Sequence, residues 1–370
     1  MKQSSIGLHT LMWAVFLAIL LVVFKLAEAQ TKYKVSDLGT LGGNQSFALD
    51  VNNSRQVTGN SRTPNSTLPL LGYRWEPGTM TNLGVLPGSN NFSRGYAIND
   101  AGVIVGESDN NASKAFRWEN GTMTNLGTLG GASAVAHNIN NAGQIVGSAS
   151  NGQMKDLGTL LGTTNSTGRA WSINNSGDIV GVSRNAANTA SQATLWLGGA
   201  GGSITNLGSL GSGNQFSEAF AISDNDWIVG YSIVTGSTEH AFLWQNGVLL
   251  DLGTLGFTHS RATDVNAQGQ VVGFASTFAN FPSFGGAAFL WENDQLINLN
   301  TRIVDSPGWN LLSAEGINER GDIVGFGTLN GQTRAFLLTA VPEPASLLLF
   351  AGGFLIAFTP IRRALTGTRN

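Results

Sequence analysis

The sequence predicts an all-β fold made of one short motif written seven times, and three observations lead to this prediction. Glycine contributes 49 of the 370 residues, charged residues contribute only 12%, and cysteine is absent. The motif returns at intervals of 31 to 50 residues, which fits a unit of four short strands. The predicted architecture is a seven-bladed β-propeller over residues 31–340. An open β-solenoid, in which repeats stack without closing a ring, is the alternative.

The first two strands of each unit form a predicted hairpin. Asn at the first turn position and Gly at the fourth are typical of a type I turn closed by a left-handed glycine. Arg55 and Asp226 replace that glycine in two units, where we expect less regular turns. The Asn or Ser that opens the turn is Asn52, Asn99, Asn140, Asn174, Ser223, Asn266 or Asn318, and a second-strand glycine follows seven residues later at Gly59, Gly106, Gly147, Gly181, Gly230, Gly273 or Gly325.

The third and fourth strands follow from an aromatic segment and a leucine. Ala115-Phe116-Arg117-Trp118 alternates small and bulky side chains, a pattern that favours a strand between packed layers. An Asn-Gly turn then leads to a strand that ends in Leu-Gly or Leu-Asn. Because Ser148-Ala149-Ser150 runs directly into Asn151-Gly152, we expect a truncated third blade. The strand-ending leucines are Leu38, Leu83, Leu126, Leu157, Leu207, Leu252 and Leu299.

The two ends of the repeat region predict ring closure. The last unit stops after its aromatic strand, Ala335 to Leu338, and a single fourth strand, Tyr33 to Leu38, stands at the start. Three strands from one end and one from the other complete a blade only if the ring closes.

Both ends of the chain carry predicted export signals. Residues 1–29 have Lys2 before an apolar stretch and the pair Ala27 and Ala29, a pattern that signal peptidase cleaves before Gln30. At the other end, the apolar residues 345–361 have the minimum length for a transmembrane helix. A basic cytoplasmic tail, 362–370, follows and begins with Arg362 and Arg363, so the repeat region is expected outside the cytoplasm.

The C-terminal segment resembles the PEP-CTERM sorting signal of bacterial surface proteins. The resemblance rests on Val341-Pro342-Glu343-Pro344 (residues 341–344), the apolar segment, and the pair Arg362 and Arg363. It implies recognition and removal of the tail by a membrane-embedded exosortase-type enzyme, after transient membrane anchoring. The protein then passes to the cell surface or to the exopolysaccharide of the extracellular, biofilm-type matrix.

The repeats themselves resemble the HAF extracellular repeat. The matching segments are Asp37 to Gly43 (DLGTLGG), Ile139-Asn140 to Gly147, and His240 to Trp244 (HAFLW). The resemblance implies an exported repeat protein. Lys114 and Arg334 replace the histidine in two other units, so histidine is not a shared metal ligand.

Charge and composition exclude several functions. Removing both terminal segments takes away five basic residues and one acidic residue, which moves the net charge from −3 to about −7. The repeat region has no cluster of lysine or arginine, so a nucleic-acid partner is not expected. The absence of cysteine excludes disulfides and thiolate chemistry.

No catalytic, cofactor-binding or metal-binding residue is predicted. His137, His240 and His259 lie in separate units, where surface or turn positions are expected. The residue before the strand-ending leucine always carries a side-chain oxygen, which either caps a turn or contributes to a Ca²⁺ site; turn capping is the favoured explanation. These residues are Asp37, Asn82, Asn125, Asp156, Asn206, Asp251 and Asn298.

The tryptophans fall into two groups. Trp75, Trp118, Trp196, Trp244 and Trp291 recur at one position of the unit, which predicts core packing between blades. Trp171, Trp227 and Trp309 break the repeat, and such a residue either fills the core or stacks on a sugar ring.

Three functions remain open. The first is a non-enzymatic surface or matrix protein that binds polysaccharide or another surface protein. The second is a propeller enzyme that acts on extracellular glycans, which requires a non-repeated cluster of carboxylate, histidine or tyrosine side chains. The third is a periplasmic scaffold held by an uncut tail.

Overall fold

A computed structural model describes residues 31–341 apart from 65–69, 110, 129–130, 150–156, 158–159, 161–166, 185–190, 212–215 and 279–284. The predicted signal peptide, the transmembrane segment, the basic tail and three of the four sorting-motif residues lie outside the described residues. Val341 is described, and its N–H donates to the Lys32 carbonyl at 2.8 Å. Within these ranges, no helix is long and apolar enough to span a membrane.

The described chain is built from strands and one short 3-10 helix, η1. In chain order the elements are β1 (Tyr33–Asp37), β2 (Ser46–Val51), β3 (Val57–Ser61), β4 (Leu71–Glu76), β5 (Thr79–Asn82), β6 (Ser93–Ile98), β7 (Ile104–Ser108), β8 (Lys114–Glu119), β9 (Thr122–Gly127), β10 (Ala134–Ile139), β11 (Ile145–Ala149), β12 (Thr167–Ile173), β13 (Ile179–Arg184), β14 (Ser191–Leu197), β15 (Ser203–Asn206), β16 (Ser217–Ile222), β17 (Ile228–Thr235), β18 (Thr238–Gln245), β19 (Val248–Gly253), β20 (His259–Val265), β21 (Val271–Ser276), β22 (Gly286–Glu292), β23 (Gln295–Asn298), η1 (Leu299–Thr301), β24 (Ile303–Val304), β25 (Trp309–Ile317), β26 (Ile323–Leu329) and β27 (Gln332–Ala340).

These strands form six sheets of four or five strands and one of two. Five sheets are antiparallel meanders, β2–β5, β6–β9, β12–β15, β16–β19 and β20–β23. In the sixth, β25, β26 and β27 are completed by β1, and β24 pairs in parallel with β1. The two-stranded sheet, β10 and β11, belongs to the third unit, and residues beyond β11 lie largely outside the described ranges.

The ring is closed by the N-terminal strand. β1 pairs antiparallel with β27 from Tyr33 opposite Ala340 to Asp37 opposite Phe336. The first strand of every sheet also contacts the first strands of both neighbouring sheets, and β25 contacts β2. The chain is therefore an all-β propeller. The predicted all-β propeller class and the closure of the ring by β1 are confirmed, and the open solenoid is wrong.

The hydrophobic core lies between neighbouring sheets. One cluster joins Leu337 of the last sheet to Val51 and Tyr73 of the first, and another joins Leu243 to Phe289 of the following sheet. The aromatic third strands supply the largest buried side chains, among them Phe116, Phe242, Phe289 and Phe336. Because burial of apolar surface is the main stabilising term, each sheet depends on its neighbours for stability.

Each first strand contains a β-bulge opposite the repeated glycine. In the first sheet, Gly59 pairs with Ala48 and Thr58 pairs with Asp50, so Leu49 is the extra residue. The bulge brings the backbones together, and a Cβ added at Gly230 would lie 1.9 Å from the Glu218 carbonyl oxygen. Only glycine fits there. The seven extra residues, here called the bulge residues, are Leu49, Tyr96, His137, Trp171, Phe220, Thr263 and Glu315.

The hairpin turns at Arg55 and Asp226 are regular, so that part of the sequence prediction is wrong. Both residues adopt the left-handed conformation of the glycines they replace, with φ of 61° and 59°. Their N–H groups donate to the carbonyls of Asn52 and Ser223, as in the other units. Arg55 also pairs through its guanidinium with the buried Asp322 carboxylate of the last unit, at 2.8 Å. This contact offsets part of the cost of a left-handed arginine.

Candidate functional site

The first strands surround a central channel with two different ends. At their C-terminal ends lies the amide ring, which we define as the seven turn-opening residues from Asn52 to Asn318. Six of the seven, namely Asn52, Asn99, Asn140, Asn174, Ser223 and Asn318, line a cavity of about 160 Å³. The bulge residues lie three positions earlier in each unit, toward the other end of the channel.

Each asparagine of the amide ring performs two tasks. The Asn266 Oδ1 accepts from the Gln270 N–H at 3.0 Å, which caps its own hairpin. Its Nδ2 donates to the Asn318 carbonyl of the next unit at 3.1 Å. The same inter-unit bond recurs at Asn52, Asn99, Asn140, Asn174 and Asn318, with distances of 2.9 to 3.4 Å. The bond from Asn318 to Asn52 closes the circle. An amide suits both tasks because its Oδ1 accepts from the hairpin while its Nδ2 donates to the next unit.

Ser223 is the exception in this ring. Its Oγ accepts from the Trp227 N–H at 3.2 Å and so keeps the capping task. The link to the next unit comes instead from Asn225, whose Nδ2 donates to the Ala267 carbonyl at 2.8 Å.

The residues that follow the amide ring form a second series of hydrogen bonds between units. The Asn53 N–H donates to Asp100 Oδ1 at 2.9 Å, and the Asn175 N–H donates to Asp224 Oδ1 at 2.8 Å. Glu319 accepts from the Ala267 N–H. The exposed carboxylates at this mouth therefore hold neighbouring units together. In the described part of the chain, no group of three or more His, Asp or Glu side chains converges to hold a metal ion.

Two half-buried carboxyl groups, those of Asp50 and Asp264, lie close to the amide ring. Asp50 Oδ2 accepts from the Ile98 N–H, and Asp264 Oδ2 accepts from the Ile317 N–H, both at 2.8 Å. Burial raises the pKa of Asp50 to about 6. Burial, together with the charge of Asp50, raises the pKa of Asp264 to about 8. Their hydrogen bonds again join each unit to the next, which is a structural role.

Four bulge residues form a continuous aromatic arc along one side of the channel. Ring centroids are 5.7 Å apart between Tyr96 and His137, 4.4 Å between His137 and Trp171, and 5.8 Å between Trp171 and Phe220. Phe220 also contacts Tyr231 at 5.5 Å. All four arc residues are half-buried. We call Tyr96, His137, Trp171 and Phe220 the aromatic arc.

His137 is neutral in this arc. Its Nε2 lies 3.1 Å from Ser148 Oγ. Loss of hydration, reinforced by the positive charge of Arg169, lowers the pKa of His137 to about 3. The indole Nε1–H of Trp171 is buried and finds no hydrogen-bond acceptor among the described residues, an arrangement that costs free energy unless a water or ligand oxygen accepts from it.

Arginines and glutamates flank the arc toward the N-terminal ends of the first strands. The Arg169 guanidinium lies 4.9 Å from the Trp171 ring centroid. Arg94 donates to the Tyr96 hydroxyl at 3.1 Å, and that hydroxyl donates to Glu107 at 2.8 Å. The arc therefore combines flat apolar rings with hydrogen-bonding groups at their edges.

The remaining bulge residues are of different chemistry. Thr263 Oγ1 lies within hydrogen-bonding distance of the Val272 and Ala314 carbonyls, at 3.1 and 2.8 Å. The Ser313 hydroxyl donates to the Glu315 carboxylate. Burial raises the pKa of Glu315 to about 7, and the Ser313 hydrogen bond opposes the rise.

The sequence-predicted site residues do not belong to the arc, with one exception. The side-chain oxygens of Asp37 and Asp251 accept from the N–H two residues later, at 2.9 and 2.8 Å. Asn82, Asn125, Asn206 and Asn298 do the same. Turn capping is thus confirmed at these six positions, and Asp156 lies outside the described residues. Of the three non-repeated tryptophans, Trp227 and Trp309 pack against core clusters, whereas Trp171 belongs to the arc.

The expectation that every histidine occupies a surface or turn position is wrong for two of them. His137 is a bulge residue, and the buried His259 accepts from the Glu239 N–H at 3.2 Å. His240 pairs with Asp251 at 2.8 Å. Sequence reasoning singled out Trp171 but missed the bulge residues as a set, because their residue types do not repeat. Their position in the unit does repeat, because each lies three residues before the amide-ring residue. This constant spacing is the sequence signal that could have identified them.

Fold and site together define this chain as a β-propeller protein with an aromatic channel site. No family model and no curated protein matches it.

Solved structures give distant matches to the propeller. The chain is similar to TolB from Acinetobacter baumannii, with 12% identity, a TM-score of 0.35, and coverage of 81% of this chain and 65% of that chain. It is also similar to Pyrococcus horikoshii acylaminoacyl peptidase, with 10% identity, a TM-score of 0.42, and coverage of 83% and 54%. The β-propeller domain of the Trilobed protease from Pyrococcus furiosus matches with 10% identity, a TM-score of 0.35, and coverage of 85% and 84%. The chain thus spans about two thirds of TolB and about half of the peptidase, and the similarity concerns the fold.

Proposed function

We propose that the protein is an exported, non-enzymatic propeller of the cell surface or extracellular matrix, and that its aromatic arc binds polysaccharide. The main support for this proposal is the aromatic arc. Aromatic faces bury the apolar C–H surface of a sugar ring, and convergent polar groups at the ring edges bind its hydroxyls. Trp171, Arg94 and Glu107 supply these two kinds of contact.

The proposed route to the surface rests on the chain ends. Signal peptidase cleaves before Gln30, and an exosortase-type enzyme removes the tail near residues 341–344, as the resemblance to PEP-CTERM proteins and HAF repeats implies. Mass spectrometry of the C-terminus, from membranes and from matrix separately, tests this step. A matrix form that ends near Pro344 is expected. A membrane form intact to Asn370 would instead favour a periplasmic scaffold.

The proposed propeller has seven blades, of which the third is thin. Support comes from the amide ring, in which the Asn140 carbonyl accepts from Asn99 and the Asn140 amide donates to Asn174, as at the other asparagines of the ring. In this proposal the two-stranded sheet β10–β11 is the thin third blade.

Polysaccharide binding is tested by affinity electrophoresis or calorimetry on a panel of exopolysaccharides. We expect the protein to bind at least one of them, and Trp171→Ala to weaken that binding tenfold or more, a loss of about 1.4 kcal/mol. Phe278→Ala is the matched control, because Phe278 is an exposed aromatic residue outside the arc. Equal binding by the Trp171→Ala and Phe278→Ala variants would place any glycan site elsewhere.

A glycan-acting enzyme is the second candidate, and one observation favours it. Glu315 has a raised pKa and belongs to the same set of bulge residues as Tyr96 and His137. A carboxyl group that is protonated near neutral pH can act as a general acid. Release of oligosaccharides from the panel by wild-type protein, and not by Glu315→Gln, would replace binding by hydrolysis as the function.

A further inference from the structure

The charge around the aromatic arc is not balanced, and this imbalance points to the class of polysaccharide. The Arg169 side chain is exposed and lies over Trp171. No carboxylate among the described residues forms an ion pair with it. By contrast, Arg184 pairs with Glu218, and Arg261 pairs with Glu239 through two 2.7 Å contacts. Arg169 therefore presents its charge to solvent at the edge of the arc.

A second guanidinium, that of Arg94, lies at the Tyr96 end of the same arc. Arg94 donates to the Tyr96 hydroxyl and lies 5.5 Å from the Tyr96 ring centroid. It likewise forms no ion pair with a carboxylate in the described ranges. The nearby Glu107 accepts from the Tyr96 hydroxyl and the Ser113 hydroxyl, both at 2.8 Å. Since the intervening His137 is neutral, two cations bracket a short aromatic surface.

We infer that the aromatic arc selects acidic polysaccharide, with a uronate ring packed against the arc and its carboxylate bound by Arg169. This inference rests on the proposed polysaccharide-binding function. The guanidinium fork binds a carboxylate through two parallel hydrogen bonds. Because the cation already lies over the indole, its orientation is partly fixed before the ligand binds. A uronic acid has both groups that the site needs, an apolar ring face and a carboxylate at its edge.

Polygalacturonate and its fully methyl-esterified form are the two probes, because they share a backbone and differ in charge. Binding to the full-length protein is measured by calorimetry at fixed ionic strength. We expect the acid form to bind at least tenfold more tightly than the ester. We expect Arg169→Gln to lose about tenfold toward the acid form, the equivalent of one hydrogen bond to a charged group, and to bind the ester as wild type does.

Two further variants separate charge from folding. Arg169→Lys keeps the positive charge and is expected to keep part of the preference for the acid form. Arg320→Gln removes an exposed arginine beside the amide ring, which donates to the Asn53 carbonyl, and is expected to bind both probes as wild type does. Thermal melting confirms that each variant is folded.

The outcomes distinguish the two proposals. Equal affinity for acid and ester, with Trp171→Ala defective for both, would overturn acidic selectivity and leave polysaccharide binding intact. No binding of either probe or of any other glycan would overturn both. Equally tight binding of polyglutamate through Arg169 would show that the site recognises charge alone, which also overturns the uronate assignment.

Discussion

Asn266 offers the sharpest test of how the propeller ring is held together. The side chain is 1% exposed. Its Nδ2 donates to the Asn318 carbonyl at 3.1 Å and to Gln270 Oε1 at 2.8 Å, while Oδ1 accepts from the Gln270 N–H. Asn266→Ser reproduces the natural state of Ser223, which keeps the capping bond and loses the inter-unit bond. Two lost hydrogen bonds at about 1 kcal/mol each predict a decrease of about 2 kcal/mol in the free energy of unfolding.

Asn266→Asp should be more destabilising than Asn266→Ser, because the carboxylate faces two oxygens and has no proton to donate. We expect a loss of about 4 kcal/mol at neutral pH, including the cost of an unpaired buried charge. Burial raises the pKa of the new carboxyl group, so its proton is bound more tightly in the folded state, and the deficit relative to wild type should shrink as the pH falls. Urea unfolding followed by tryptophan fluorescence gives these values.

Asn310→Ser is the control for Asn266→Ser, because Asn310 is an exposed residue of β25. It is expected to change the free energy of unfolding by less than about 0.5 kcal/mol. If Asn266→Ser has the same free energy of unfolding as wild type, the claim that the asparagines join neighbouring units is refuted.

Two further predictions concern the bulge and the buried carboxyl groups. Gly230→Ala places a Cβ 1.9 Å from the Glu218 carbonyl oxygen and should lower the free energy of unfolding by more than about 3 kcal/mol or prevent folding. Gly236 lies in a left-handed turn with open space around it, so Gly236→Ala should lower the free energy of unfolding by only about 1 kcal/mol. Protein yield and urea midpoints measure both, and comparable losses would contradict the steric explanation. The raised pKa of Glu315 means that the folded state holds the proton more tightly than the unfolded state, so stability should fall as the pH rises from about 4.5 to about 7. Glu315→Gln should flatten that part of the pH profile, and an unchanged slope would show that other groups, such as Asp50 and Asp264, produce it.

The sequence predicted the strands because local patterns specify them. Alternation in Ala115 to Trp118, the Asn-to-Gly turns and the leucines at the strand ends depend on residues near one another in the chain, and the hairpins and aromatic third strands that they predict are present in the described units. The turn-capping oxygens of Asp37 and Asp251 were predictable for the same reason. The regular turns at Arg55 and Asp226 were not predictable from local sequence. Arg55, for example, contacts Asp322, a residue far away in the sequence.

The candidate site was less accessible to sequence reasoning. Trp171 was recognised as unusual because it breaks the repeat, but Tyr96, His137 and Phe220 gave no sign of acting with it. They come from separate units, and only the closed ring brings their side chains within 4.4 to 5.8 Å of one another. The β-bulge decides their direction, because the extra residue interrupts the alternation that a regular strand would impose.

The sequence by itself determined the repeat, the all-β class, the turn chemistry and the closure of the ring by the first strand. Each of these follows from residue types at short, fixed spacings. Only the tertiary structure decided that the repeated asparagines link unit to unit, that the repeated glycines admit a bulge, and that four unlike residues form one aromatic surface. These features depend on distances between units, and a linear pattern does not contain those distances until the ring has closed.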